Sequence, residues 1–335
     1  MANLYLRAWG GLGARINVVL SALYGLDSNR LPHKIKLNWP MATEAGLQSK
    51  GPRYWNARDI QGGHTKNRER LFGASLQDLY DIDMPIEYIS SAEFDEAASK
   101  HLYYDLNYTQ APSRNPLFRG QVHFATQPHD EDFVVEGHQW MNVDGLHHRV
   151  LPRFKHIYER YLSLKPGADK AARGMIRSFN EHTIGVYIRS ATIHPAVGPW
   201  DAAGRMREMM RTKLASNTKH KFFVCADDPK VLHQLKQEFP GKILHTVKPG
   251  KFNDPEEMRC VTTDIEIMKK VRDFYPTWFS GLGILMTALR GWNDFDRYGN
   301  TTQLGGASFV KDPEALCHPP GDPLVDGGWI FEDRP

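Results

Sequence analysis

Gly10-Gly11-Leu12-Gly13 stands between a β-prone run, Asn3 to Trp9, and a segment with apolar residues at 16, 19, 20, 23 and 24. Strand, glycine turn and helix in that order bring backbone N–H groups and the partial positive charge of a helix start up to an anion. A dinucleotide fingerprint would continue to a third glycine at position 16 and place an acid at the end of the second strand. Those positions read Ile16 and Asn38-Trp39-Pro40, so a nicotinamide site is disfavoured. The same glycines also suit a tight turn that binds nothing. A second candidate is Arg189, which closes the apolar run His182 to Ile188. The carboxyl ends of parallel strands face the binding crevice, so a guanidinium there is placed either to fork onto a phosphate or to pair with a nearby acid. Thr263-Asp264, with Glu266 close behind, reads as a capped helix start. Phe279-Ser280-Gly281-Leu282 joins a short strand to a nearly uncharged helix. It is a second glycine-bearing strand-to-helix turn. One such turn in each half is what a ligand clasped between two α/β domains requires.

Other chemistries find little support. Asp81-Ile82-Asp83, Asp130-Glu131-Asp132 and Asp294-Phe295-Asp296 offer paired acids, but none follows a clear apolar strand, and solvated loop acids are the simpler reading. The 15 histidines include no HExxH, and His147-His148 lacks a partner at zinc spacing. No GxSxG elbow or GxxxxGK[ST] loop occurs, which disfavours serine hydrolysis and P-loop chemistry. Cys225, Cys260 and Cys317 are odd in number and widely spaced, fitting neither a disulfide framework nor a CxxC metal pair; Cys225 reads as a buried strand thiol. A net charge of +3 excludes a nucleic-acid-coating protein. No apolar stretch approaches the ~20 residues of a membrane helix, and no signal-like start is seen, so a soluble, cytoplasmic protein is expected.

These residues need elements to hold them. The chain opens as a βαβ unit: strand 3–9, an amphipathic helix from Arg15, and strand Lys34 to Trp39 closed by Pro40. Residues 41–127 show little periodicity. A strand is expected at Asp132 to Gly137, a helix including Leu151 to Leu164, and a polar linker at Lys165 to Lys170. Regular alternation follows, with strands at His182 to Arg189, Lys221 to Cys225, Lys242 to Val247 and Phe274 to Phe279. The helices between and after them are placed at Ala202 to Leu214, Pro229 to Phe239, Thr263 to Arg272 and Leu282 to Arg290. At 335 residues, two domains are expected, an N-terminal α/β domain over 1–166 and a C-terminal α/β domain over 167–312, followed by a loop-like tail, 313–335.

The ordered motifs resemble the fucosyltransferase superfamily, which includes bacterial α-1,2- and α-1,6-fucosyltransferases and protein O-fucosyltransferases. Gly10-Gly11-Leu12-Gly13-Ala14-Arg15 is similar to its GGLGN(R/Q) turn, and Glu136-Gly137-His138-Gln139-Trp140 to its GYxQ-type segment. Ile184-Gly185-Val186-Tyr187-Ile188-Arg189 resembles (I/V)GVHIR, and Phe222 to Pro229 resembles FxxxSDDP. Asp264 through Phe279-Ser280-Gly281 is similar to D(L/I)xxM…SSF. The resemblance implies a GT-B-like α/β fold of two Rossmann-like domains facing a central cleft. It further implies an inverting, metal-independent glycosyltransferase that moves L-fucose from GDP-fucose to a glycan or peptide hydroxyl, with no cofactor and no nucleic-acid partner. By position, Arg189 would hold the diphosphate, Asp264 the nucleoside, and Ser280, Gly281 and Leu282 the phosphate. Asp227 and Tyr187 would line the donor site, while Gly11, Leu12, Gly13 and Arg15 would close on it. Glu136 is the expected general base, with His138 beside it on the acceptor side. Three departures stand out: Tyr187 replaces the family histidine, Ser190-Ala191-Thr192 replaces a continuation bearing an arginine and an acid, and Ala14 replaces an asparagine. Another nucleoside-diphosphate sugar, or a catalytically silent carbohydrate-binding relative, is compatible with these changes.

Overall fold

A computed structural model describes residues 2–9, 11–28, 34–40, 74–83, 86–106, 131–138, 147–189, 193–194, 198–199, 202–248, 255–277 and 281–290. The chain divides into two compact units. One comprises Met1–Gly145, His156–Lys165 and Lys248–Arg259; the other comprises Leu146–Lys155, Pro166–Val247 and Cys260–Pro335.

The first unit begins with β1 (Asn3–Trp9), α1 (Leu12–Ser28) and β2 (Lys34–Asn38). Helix α1 is buried along its whole length from Leu12 to Tyr24 rather than on one face. Its polar residues are accommodated: Ser21 Oγ donates to the Asn17 carbonyl at 2.7 Å, and Arg15 donates to the Pro40 carbonyl at 2.8 Å. Where the sequence shows little periodicity, the chain forms α2 (Leu76–Leu79), β3 (Tyr80–Ile82), β4 (Ile86–Tyr88), α3 (Ser91–Lys100) and β5 (Leu102–Leu106). Both helices carry reciprocal capping boxes, Ser75 with Asp78 and Ser90 with Glu93. β6 spans Phe133–His138. The main sheet runs β4-β2-β1-β6-β5 with every pair parallel. In chain order that is third, second, first, fifth, fourth: the chain steps outward from β1 to β4, crosses to the far edge at β5 and steps inward to β6, beside β1.

The helix expected to run to Leu164 is instead α4 (His147–Tyr161), followed by β7 (Leu162–Leu164), which pairs antiparallel with β3. The polar stretch expected as a linker opens α5 (Pro166–Ile176). Proline at a first helical position, Asp169 in the first turn and an Asp169–Arg173 pair at 2.6 Å are helix-start chemistry.

The second unit holds β8 (Thr183–Ile188), the short antiparallel pair β9 (Ile193–His194) and β10 (Gly198–Pro199), α6 (Ala202–Ser216), β11 (Lys221–Ala226) and α7 (Pro229–Glu238). β12 (Ile243–Leu244), α8 (Pro255–Met268, of which Cys260 onward belongs to this unit), β13 (Asp273–Pro276) and α9 (Gly281–Arg290) follow. The sheet runs β12-β11-β8-β13, all parallel, with its reversal between β8 and β13. β12 and β13 are shorter than expected. Helix α8 starts at Pro255, with Glu256 and Glu257 in its first turn, so Thr263 and Asp264 lie inside the helix and cap nothing. β8 is buried at every residue, and Cys225 in β11 is a buried thiol outside any disulfide. Gly185 is required by close packing: a Cβ there would lie 2.6 Å from Val271 Cγ2 and 2.7 Å from Met268 Sδ.

Candidate functional site

In open parallel sheets the crevice lies beyond the carboxyl ends of the strands where the connections reverse. In the second unit that point is the end of β8 and β13. Arg189, the first residue past β8, is 36% exposed at its side chain, and its Nη1 lies 3.0 Å from Asp227 Oδ2 at the end of β11. The Asp227 N–H donates to the Ile188 carbonyl at 3.3 Å, which holds the acid beside the arginine. Of the two outcomes foreseen for Arg189, the structure shows the acidic neighbour, with the guanidinium partly exposed at the carboxyl end of β8.

Past β13, Thr277 is fully buried. Its N–H and its hydroxyl both donate to the Tyr187 carbonyl, at 3.0 and 2.9 Å, and its Oγ1 accepts from the Arg189 N–H at 3.1 Å. Nothing in the sequence pattern marks this residue; only its place just after a strand that ends in proline hints at it. Tyr187, where the resemblance has histidine, is buried against the first turn of α9: a Cβ at Gly283 would lie 3.3 Å from its ring and 2.5 Å from the Thr277 carbonyl oxygen. Gly281 is the first residue of α9, and Leu282 is half-buried behind it. Ser280 lies outside the described residues. Asp264 is 0% exposed and accepts a 2.6 Å hydrogen bond from Thr246 Oγ1, in the segment after β12. Cys260 Sγ reaches the Val247 carbonyl at 3.4 Å, pinning the same segment to α8 and leaving the Val247 side chain 76% exposed.

In the first unit the carboxyl ends of β1 and β6 lie side by side. Gly11 is exposed, and its carbonyl accepts the first helical bond of α1 from the Arg15 N–H at 3.0 Å. Among the described residues, none lies within 4 Å of a Cβ built at Gly11. Gly13 and Leu12 are buried. Arg15, expected at the phosphate, is 1% exposed, with its guanidinium on the Pro40 carbonyl and 5.2 Å from the Trp39 ring. His138 ends β6 opposite Trp9.

Glu136 belongs to a polar row that the register draws across three strands: Asn38 on β2, Arg7 on β1 and Glu136 on β6 are direct partners. Arg7 Nε donates to Asn38 Oδ1 at 2.6 Å. Its Nη1 lies 2.9 Å from Asp95 and 3.9 Å from Glu136, and its guanidinium stacks 3.9 Å over the Phe94 ring. Glu136 is buried, and its Oε2 accepts from the Tyr103 hydroxyl at 2.6 Å. The sequence reading missed Arg7, although an arginine two residues before the strand end shares the placement that singled out Arg189.

Among the acidic pairs, Asp81 lies in β3 and pairs with Lys165 at 2.5 Å; Asp132 accepts from the Asn3 N–H and Nδ2 at 2.7 and 2.9 Å; Asp294 and Asp296 lie outside the described residues. Among the described residues, no group of three His, Cys, Asp or Glu is arranged to hold a metal ion, and no helix is long and apolar enough to cross a membrane.

No family model matches the sequence, and no curated protein matches it. Solved structures do. The NodZ α-1,6-fucosyltransferase soaked with GDP-fucose is 14% identical, with a TM-score of 0.51 over 86% of this chain and 93% of its own. Selenomethionine fucosyltransferase NodZ from Bradyrhizobium gives 0.50 at 14% identity, over 86% and 92%. An Arabidopsis thaliana FUT1 variant in complex with GDP gives 0.50 at 12%, over 86% and 68%. The chain thus has a mixed α/β, GT-B-like fold built on parallel sheets.

Proposed function

We propose that this chain is an inverting, metal-independent glycosyltransferase that moves L-fucose from GDP-fucose to a hydroxyl of a glycan or peptide. The observation that carries the reading is Arg189 at the crevice end of β8, beside the start of α9, in a fold shared with fucosyltransferases whose structures hold GDP or GDP-fucose. In this reading the acceptor oxygen attacks the anomeric carbon as the bond to the diphosphate breaks, and GDP leaves with the electron pair. Charge builds on the departing phosphate oxygens. A preorganised guanidinium and the backbone N–H groups at a helix start, set at a fixed place, stabilise that charge with no reorganisation at the moment of reaction. Glu136 is the acceptor-side base in this scheme.

The side chains divide the work with little overlap. Tyr187 shapes the floor beneath Arg189 through its packing on Gly283. Asp264 and Thr246 hold the nucleoside end, with Val247 offering an exposed apolar surface next to them. Arg15 braces the end of β2 beneath the glycine turn and leaves anion contact to the backbone around Gly11.

The test is incubation with GDP-fucose in excess chelator, following GDP release with and without a panel of acceptor glycans. Release that chelator leaves unchanged supports the reading, and strict dependence on Mn²⁺ or Mg²⁺ overturns it. The Arg189–Asp227 pair favours a second reading, a silent relative that binds carbohydrate: an arginine satisfied by its own acid needs no phosphate. Such a protein would release no GDP under any of these conditions.

A further inference from the structure

Resting on the role proposed for Arg189, we infer that Thr277 is the positioning residue that aims it. In a regular parallel ladder, after the Thr277 N–H has donated to the Tyr187 carbonyl, the next bond would run from the Arg189 N–H to the Thr277 carbonyl. Here the Thr277 hydroxyl takes that bond instead, accepting from the Arg189 N–H at 3.1 Å while donating to the Tyr187 carbonyl at 2.9 Å. The displaced carbonyl oxygen lies against Gly283, so close that a Cβ there would come within 2.5 Å of it. One fully buried side chain thus fixes two things at the strand ends: the backbone from which Arg189 projects, and the approach of the first turn of α9. Asp227 steadies the far end of the Arg189 side chain, its Oδ2 lying 3.0 Å from Nη1.

The hydroxyl is needed as both donor and acceptor, which valine, its isostere, cannot be. Serine can. A guanidinium that is displaced but not removed loses its fit to charge that develops only as the diphosphate leaves, so the defect falls on kcat more than on donor KM. Misplacement on the scale of 1 Å costs about 100-fold.

The experiment compares Thr277→Val, Thr277→Ser and wild type by GDP-fucose turnover, donor KM and hydrogen exchange at the Arg189 amide. The expected result is a kcat lowered by about 10- to 100-fold in Thr277→Val with donor KM little changed, rescue in Thr277→Ser, and faster Arg189 amide exchange in the valine variant alone. Unchanged amide protection in Thr277→Val, or kcat equal to wild type in a folded Thr277→Val, overturns the inference. Should the valine variant not fold, Thr277→Ala against Thr277→Ser makes the same comparison. Should wild type turn over no GDP-fucose, the functional reading fails separately, and the amide exchange still decides whether Thr277 sets the Arg189 backbone.

Discussion

Arg189 is paired with Asp227, and under the proposed function a diphosphate would compete for the same guanidinium; substitution separates the two. Arginine grips a diphosphate through a planar fork of donors, whereas lysine offers one compact, strongly hydrated charge. Arg189→Lys is therefore expected to be nearly as damaging as Arg189→Ala, each costing about 100- to 1000-fold in turnover, or roughly 2.7 to 4 kcal/mol. If the pair with Asp227 were all that mattered, either change would cost about 0 to 1 kcal/mol of stability and spare turnover. Rates per folded molecule, measured beside melting curves, decide between them. Glu136 poses the reverse problem, because its burial and its bond from Tyr103 suit a scaffold as well as a base. Glu136→Gln keeps the shape and a hydrogen-bond acceptor but gives up basicity. The expected outcome is a loss of transfer of about 100-fold or more with little change in melting temperature. A large drop in melting temperature with transfer per folded molecule intact would assign Glu136 to the polar row with Arg7 and Asn38 instead.

At the scale of elements, one carboxylate joins the amino ends of β1 and β6 in the first unit. Asp132, just before β6, accepts from the N–H and the side chain of Asn3 at the start of β1. Burial pushes its pKa up, but the two Asn3 donors, helped by His101 and Lys36, outweigh that and hold it below the ordinary carboxylate value. With the folded pKa depressed, the stabilisation is complete above about pH 4 and disappears as pH falls through the folded pKa. Asp132→Ala is expected to lose about 1 kcal/mol at neutral pH. The gap from wild type should stay flat from pH 7 to about 5 and close below about 4, as read from denaturant melts across pH. A gap independent of pH would mean that packing, not charge, joins these strands. The elements that the sequence reading finds are those with a signature long enough to see. β8 and β11 are mostly apolar runs of six residues, while β1 and β2 alternate apolar and polar residues over seven and five. β3, β4 and β7 have three residues each, too few to show alternation. Helix α3 is announced by Ser90 and Glu93 rather than by a stripe, since only Phe94 and Ala97 of it are buried. In α8 two start signals compete, and packing of Met258 and Val261 selects the earlier one at Pro255. Arg189 is legible because an apolar strand ends in a charge. Thr277 is not, because a hydroxyl standing in for a backbone acceptor leaves no periodic trace.

For the whole molecule, binding to the native state alone raises the free energy of unfolding by mass action, whatever the chemistry that follows. GDP at 100 times its dissociation constant adds about 2.7 kcal/mol, which for a domain of 150 to 250 residues moves the melting temperature by roughly 5 to 10 °C. The base ought to matter. A purine that presents N–H donors to a carboxylate gains charge-assisted hydrogen bonds, and the buried acid on α8, Asp264, is the group assigned to the nucleoside. UDP and ADP share the diphosphate and the ribose, so their shifts isolate what the base contributes. GDP is expected to stabilise most at equal concentration, and Asp264→Asn to bring its shift down to that of the other two, because the amide gives up the carboxylate charge while keeping its shape. The reference melt of the ligand-free variant corrects for any loss from the Thr246 hydrogen bond. Equal shifts from all three nucleotides in wild type would keep the diphosphate site at Arg189 and remove guanosine from the donor. A larger shift with UDP would move the donor to a uridine sugar, with the fold and the role of Arg189 unaltered.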